Sequence, residues 1–263
     1  MNRLAVLGHP VGHSRSPAMH TAALAELGLA GEWSYSAIDL APDEFEPRVR
    51  AMTGEGFAGA NVTVPHKSAA LALADSLSET AREIGAANTL SFDRGEIHAD
   101  NTDAQGLLDA LPGPAAGKRT LVLGAGGAAR AAVWALVREG AEVAVWNRTT
   151  LRAEHLCEEL GGALTDAPDQ GDFELIVNTT AAGLHGEDPF AELPLERSGF
   201  AAGQTVVDLV YGERPSELLG AAESGGATVV DGSEVLVRQG ALSLRIWTGR
   251  DPSLGAMRAA ARR

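Results

Sequence analysis

"TLVLGAGGAARAAVWAL" (120–136) places Gly124, Gly126 and Ala129 as G-x-G-x-x-A between an apolar β run and an amphipathic helical stretch. The first glycine permits a tight turn, the second lets a backbone approach a pyrophosphate, and the small third residue lets helix and strand pack closely. A second β run, "EVAVWN" (142–147), follows at the spacing of a βαβ unit. Further β runs at 175–180, 205–210 and 227–232 alternate with helical patterns near 150–160 and 215–223. Five short β runs separated by helices predict a Rossmann-type, doubly wound parallel sheet.

The end of the second run selects the dinucleotide. A 2′-hydroxyl site carries Asp or Glu about 20 residues beyond the glycines. Here Asn147 stands there, followed by Arg148, Thr149 and Arg152. Nothing in this group repels a phosphate, and guanidiniums with a hydroxyl can hold one. Cations at a helix start are unfavourable unless an anion arrives. The reading is NADP(H).

Upstream, "RLAVLG" (3–8), "WSYSAIDL" (33–40) and "GANVTV" (59–64) read as strands. "SPAMHTAALAELG" (16–28) reads as a helix with Ser16 as N-cap, and "PDEFEPRVRAM" (42–52) and "HKSAALALA" (66–74) as two more. Residues 88–100 read as a hairpin and 103–111 as a helix; 232–249 has helical spacing. The predicted division is 1–102 for the substrate, 103–237 for the cofactor, and 238–263 as C-terminal helices returning to the first domain.

Net charge is −14, which argues against nucleic acid and anionic membranes as partners. The lone Cys157 excludes an internal disulfide and fits a reducing cytoplasm. The apolar run at the N-terminus breaks at Gly8-His9-Pro10, too early for a secretion signal, and no run of apolar residues reaches the length of a membrane span. The three Asn-x-Thr triplets, at Asn61, Asn147 and Asn178, then need an account other than glycosylation. His9, His13, His20 and His66 lack carboxylates or Cys at ligand spacing, so no metal site is expected.

Polar residues gather at strand ends and helix starts of the first domain. Ser14 and Ser16 sit on the first βα turn, a place for a carboxylate. Asn61 and Thr63 alternate along one strand face, Asn88 opens the hairpin, and Asp103 opens a helix. Together with Lys67 they suggest a polyhydroxylated ligand. Only Lys67 and Lys118 are lysine among 21 Lys+Arg. A ketone reduced by hydride becomes an alkoxide that needs a proton; lysine can release one and arginine cannot.

"GHPVGHSRSPAMH", "GANVTVPHK", "GAANTL", "DNTDAQG", "GAGGAARAA", "NRT", "NTTAAG", "DLVY" and "QGALSLRIWTG" occur in this order across nearly the whole chain. In this the chain resembles the shikimate dehydrogenases. The resemblance implies reduction of 3-dehydroshikimate to shikimate with NADPH, in the cytoplasm, by a monomer or homodimer. It implies Lys67 and Asp103 as the catalytic pair, and Ser14, Ser16, Asn61, Thr63, Asn88, Tyr211 and Gln239 around the substrate. Toward the cofactor it implies Gly124, Ala125, Gly126, Gly127, Ala128, Asn147, Arg148, Thr149, Arg152, Thr179, Leu209 and Gly232. Thr21, Leu184 and Val235 depart from the residues usual in the family, and Pro215 is displaced within its loop. The rivals are a catabolic quinate/shikimate dehydrogenase using NAD, a non-catalytic NADP-binding module, and a methylene-tetrahydrofolate dehydrogenase. The last would want an aromatic pterin platform, and the first domain has few aromatics.

Overall fold

The computed structural model describes residues 1–212 and 214–262. The chain forms two compact units, Met1–Gly106 with the stretch from Leu236 onward, and Leu107–Val235.

In the first unit, strand β1 (Asn2–Gly8) lies parallel between β2 (Trp33–Asp39) and β3 (Phe57–Val62). Helices α1 (Ser16–Glu26) and α2 (Pro42–Met52) make the two crossovers. Beyond β3 and α3 (Lys67–Leu73) the chain adds β4 (Ser76–Leu77), α4 (Glu79–Ile84), β5 (Thr89–Asp93) and β6 (Glu96–Asp100). The sheet order is β2-β1-β3-β5-β6-β4, with β3–β5 and β5–β6 antiparallel. Both faces are covered from Leu4 onward, so β1 is apolar over Leu4–Leu7: Ala5 and Leu7 face Phe45, Val49 and Ala70, while Leu4 and Val6 face Met19, Leu24 and Val237. The hairpin turns at Arg94 (φ 50°) and Gly95 (φ 88°), as a two-residue loop matched to strand twist requires.

Three sequence readings need correction here. Ser16 is the first helical residue, not the N-cap; Arg15 occupies that place, and Ser14 Oγ accepts from the Ser16 amide at 3.3 Å. Strand β3 ends at Val62, so Thr63 lies beyond it, ahead of a cis Val64–Pro65 bond. Strand β4 and helix α4 carry no legible sequence signal because they span only 2 and 6 residues, too short for a periodicity to show.

The second unit contains β7 (Arg119–Leu123), α6 (Gly127–Arg138), β8 (Glu142–Trp146), α7 (Thr150–Leu160), β9 (Ala163–Leu164), β10 (Leu175–Asn178), β11 (Thr205–Asp208), α8 (Glu217–Ser224) and β12 (Thr228–Asp231). All pairings are parallel, in the order β12-β11-β10-β7-β8-β9, as a doubly wound sheet demands. The sheet has six strands, not the five read from the sequence, because β9 is a two-residue edge strand with both residues exposed. Helices α6 and α7 bury Val133, Leu136, Ala153 and Leu156 on one face, and α8 buries Leu218, Leu219 and Ala222 on the other. Helices α5 (Asp103–Ala110) and α9 (Gly232–Thr248) carry the chain from one unit to the other and back. Helix α10 (Leu254–Ala261) ends the fold, with Met257 and Ala261 packed beside Met19 and Ala23 of α1. No helix among the described residues is long and apolar enough to cross a membrane.

Candidate functional site

Lys67 is the first residue of α3 and Asp103 the first of α5, 36 positions apart. Lys67 Nζ donates to Asp103 Oδ2 at 2.6 Å, and the two side chains are only 13% and 18% exposed. Sparse solvent makes this pair count for more than a surface bridge. A cation at a helix N-terminus is opposed by the helix dipole, and the Asp103 carboxylate offsets that opposition.

The aspartate is held from behind. Asn101 Oδ1 accepts from the amides of Asp103 and Ala104 at 3.0 and 3.3 Å, which caps α5, and its Nδ2 donates to Ala86 O at 2.8 Å. Asn88 Nδ2 donates to Asp103 Oδ1 at 2.8 Å and lies 3.2 Å from Gln239 Oε1. Asn88 Oδ1 accepts from the Thr102 amide and the Thr89 hydroxyl. Gln239 reaches this cluster because Gly106 lets α9 approach α5: a Cβ on Gly106 would fall 2.7 Å from the Gln239 Cβ.

The structure therefore joins Lys67, Asp103, Asn88 and Gln239 in one buried network. Asn61, 5% exposed, connects to it through Nδ2, which lies 3.4 Å from Asn88 O and from Thr89 Oγ1. Ser14 and Ser16 form a separate pair on the loop after β1, and Thr63 abuts Gly8 at the carboxyl end of the same strand. These are carboxyl ends of parallel strands, where open α/β sheets bind ligands. Tyr211 belongs to the second unit and lines a cavity of about 250 Å³ with Leu184, Val210 and Pro215. Thr89, Thr102, Tyr35 and Ser243 join the polar network and were missed in the sequence. Thr102 and Ser243 lie inside the quoted "DNTDAQG" and "QGALSLRIWTG", so attention to each motif's every polar residue would have found them.

In the second unit, Gly124 has φ +113°, and a Cβ there would sit 2.5 Å from Thr179 Oγ1. No side-chain-bearing residue fits. A Cβ on Gly126 would meet nothing within 4 Å, and Gly126 provides no side-chain cap to α6. The first amides of a 12-residue helix thus open on free space, which fits a pyrophosphate. Thr179 Oγ1 donates to Leu123 O at 2.7 Å, and Gly232 lies so close to Leu209 that a Cβ would be 2.6 Å from its carbonyl. Ala125, Gly127 and Ala128 continue the turn into α6. At the end of β8, Asn147 Nδ2 donates to Thr149 O at 2.9 Å. Arg148 pairs with Glu192 at 3.2 Å while 81% exposed, a bridge weak enough for a phosphate to displace. Arg152 is exposed on the first turn of α7. The residues present fit NADP(H).

The remaining Asn-x-Thr triplet has a structural task. Asn178 Oδ1 accepts from Thr180 N and Oγ1, and its Nδ2 donates to Asp208 Oδ1 at 2.9 Å. Asp208 also accepts from Ser216 Oγ at 2.5 Å and Val210 N at 3.1 Å. Burial nevertheless pushes its carboxyl up to about 6, with Asp231 adding to the rise. A carboxyl raised above its unfolded value of 3.8 holds an extra proton in the native state, so its ionisation costs stability as pH rises through that window. Asp208→Asn keeps the shape and removes the cost. It should raise stability at pH 8 by about 1–3 kcal/mol and make no difference near pH 4, read from urea unfolding at both pH values. A loss of stability at pH 8 would show that the hydrogen bonds outweigh desolvation.

Three family models match successive stretches of the chain. Residues 6–90 match the model of the shikimate dehydrogenase substrate-binding domain, 108–180 that of shikimate/quinate 5-dehydrogenase, and 232–262 that of the shikimate 5′-dehydrogenase C-terminal domain. The chain is 45% identical over 259 residues to the NADP(+) shikimate dehydrogenase of Anaeromyxobacter sp. strain K, covering 93% of this chain and 90% of that one. The structure of shikimate 5-dehydrogenase from Thermus thermophilus in complex with NADP(H) and shikimate superposes with a TM-score of 0.91 at 43% identity, over 100% and 99% of the two chains. Quinate dehydrogenase from Corynebacterium glutamicum in complex with NAD gives 0.85 at 30% identity, over 98% of each.

Proposed function

This chain belongs to the shikimate dehydrogenase family, and on that premise we propose that it reversibly reduces 3-dehydroshikimate to shikimate with NADPH. The observation that carries the reading is the Lys67–Asp103 pair, enclosed and tied to Asn88 and Gln239. NADPH, when bound, supplies the hydride. Gly124, Gly126 and the amides opening α6 would hold its pyrophosphate, and Arg148, Arg152 and Thr149 its 2′-phosphate.

Lys67 Nζ donates a proton to the ketone oxygen as the carbonyl carbon is reduced, and becomes a neutral amine. In the reverse direction the same amine takes the proton from the substrate hydroxyl. Asp103 keeps the amine in place and accepts from a neighbouring hydroxyl of the substrate. Asn61, Thr63, Asn88 and Gln239 bind the ring hydroxyls, and Ser14 and Ser16 take the carboxylate. The lone Cys157 fits work in the cytoplasm.

Rates with shikimate and NADP, measured against quinate and NAD, test the reading. Faster turnover of quinate with NAD would favour the catabolic alternative. Asn147, Arg148 and the higher identity to NADP(+) enzymes speak for the biosynthetic one.

A carboxylate remote from the reacting carbon is bound about equally in ground and transition states. Ser14 Oγ accepts from the Ser16 amide and keeps its own hydrogen to donate. Ser14→Ala should therefore raise KM for shikimate roughly 10-fold or more while kcat changes little, given the worth of one hydrogen bond to a charged group. A fall confined to kcat would remove Ser14 from the carboxylate site.

A further inference from the structure

Asn61 is fixed by a side chain that the chemistry above does not use. Its Oδ1 accepts from the Tyr35 hydroxyl at 2.8 Å. Its Nδ2 contacts, at 3.4 Å, are long for N–H···O bonds. Ser243 Oγ also lies 3.4 Å from Oδ1, but it stands nearer to Gly240 O, at 3.0 Å. A hydroxyl has a single hydrogen to give, so Ser243 is spent on Gly240 and the firm hold on Asn61 comes from Tyr35.

The sheet explains why a tyrosine is needed. Tyr35 is on β2 and Asn61 on β3, with β1 between them. Two strand spacings are about 9–10 Å, a gap that a phenol bridges and a Ser or Thr does not. The Tyr35 ring stacks on His20 with centroids 4.2 Å apart and planes 3° from parallel. His20 is fully buried, and burial lowers its imidazole to about 3, so the stacked partner is neutral. The stack sets the plane of the phenol and hence the direction of its hydroxyl.

We propose that Tyr35 is a positioning residue of the substrate site: by anchoring Asn61 Oδ1 it fixes the orientation of the amide, so that Nδ2, whose contacts with Asn88 and Thr89 are long, is the donor that Asn61 offers the substrate. A substrate hydroxyl both donates and accepts. With Asp103 as acceptor and Asn61 as donor the site satisfies both roles. An Asn61 free to flip would set two acceptors against one hydrogen. The inference rests on the proposed contact between Asn61 and substrate.

Tyr35→Phe keeps the ring and its stack and removes only the hydroxyl. It should raise KM for shikimate roughly 5- to 30-fold, the span of one hydrogen bond, with kcat within about threefold and KM for NADP unchanged. In an Asn61→Ala background the same change should have no further effect, because Tyr35 acts through Asn61. A KM within about twofold of wild type, or equal effects in both backgrounds, overturns the proposal. The side-chain amide resonances of Asn61 in 15N-labelled protein give an arm that needs no turnover. They should shift or broaden in Tyr35→Phe; an unchanged pair also overturns it. A wild-type enzyme inactive on shikimate and NADP would sink the proposed function instead, and the amide resonances would still decide the role of Tyr35.

Discussion

Lys67→Arg should be nearly as slow as Lys67→Ala, with kcat reduced roughly 10²–10⁴-fold, the usual span of general acid–base catalysis. Both variants should fold and bind NADPH, because Lys67 lies in the first unit and the residues fitted to the cofactor in the second. The Ala variant removes the proton donor, and Asp103 loses its partner at 2.6 Å. The Arg variant separates charge from proton transfer. It preserves a cation beside Asp103 but holds its proton too firmly to give it up near neutral pH. If a fixed positive charge were enough to stabilise the alkoxide, Arg would recover much of the rate. Steady-state kcat of the three enzymes, with thermal unfolding as a check, decides the matter. An Arg variant within about threefold of wild type, well under the 1.36 kcal/mol that a tenfold change represents, would reduce Lys67 to a binding residue.

The cofactor preference should collapse in the double variant Asn147→Asp, Arg148→Ala. The guanidinium of Arg148 is worth about 1.5–3 kcal/mol in a charge-assisted contact with the 2′-phosphate. An aspartate at the end of β8 adds repulsion toward the phosphate and an acceptor for the 2′-hydroxyl. Together the changes should cost about 3–4 kcal/mol of discrimination, or roughly 10²–10³-fold in the ratio of kcat/KM for NADP over NAD. The Arg148–Glu192 bridge is exposed, so its loss should leave stability nearly unchanged. A preserved ratio would move the phosphate away from this turn.

Local chemistry accounts for what was legible in the sequence. The Rossmann unit was readable because its central strands β7, β10 and β11 are buried almost throughout and its glycines are demanded by backbone geometry, as at Gly124. Lys67 stood out by its rarity, and Asp103 and Asn88 by their places at the starts of a helix and a strand. Asn147 declared its cofactor by the absence of a carboxylate. Less was legible where the signal was short, as at β4, α4 and β9, or where a boundary hung on a residue or two, as at Ser16 and Thr63.

The chain by itself determined the layer architecture, the nucleotide class and the residue types of the chemistry, since periodicity, turns and ligand polarity are properties of near neighbours. Only the tertiary structure decided that Asn88, Asp103 and Gln239 share one network, and that Tyr35 reaches over β1 to hold Asn61. Those contacts join positions 15, 151 and 26 residues apart. A hydrogen bond depends on separation in space and on direction, and for side chains so far apart in the chain both come from the stacking of strands and the close approach of α5 and α9 at Gly106.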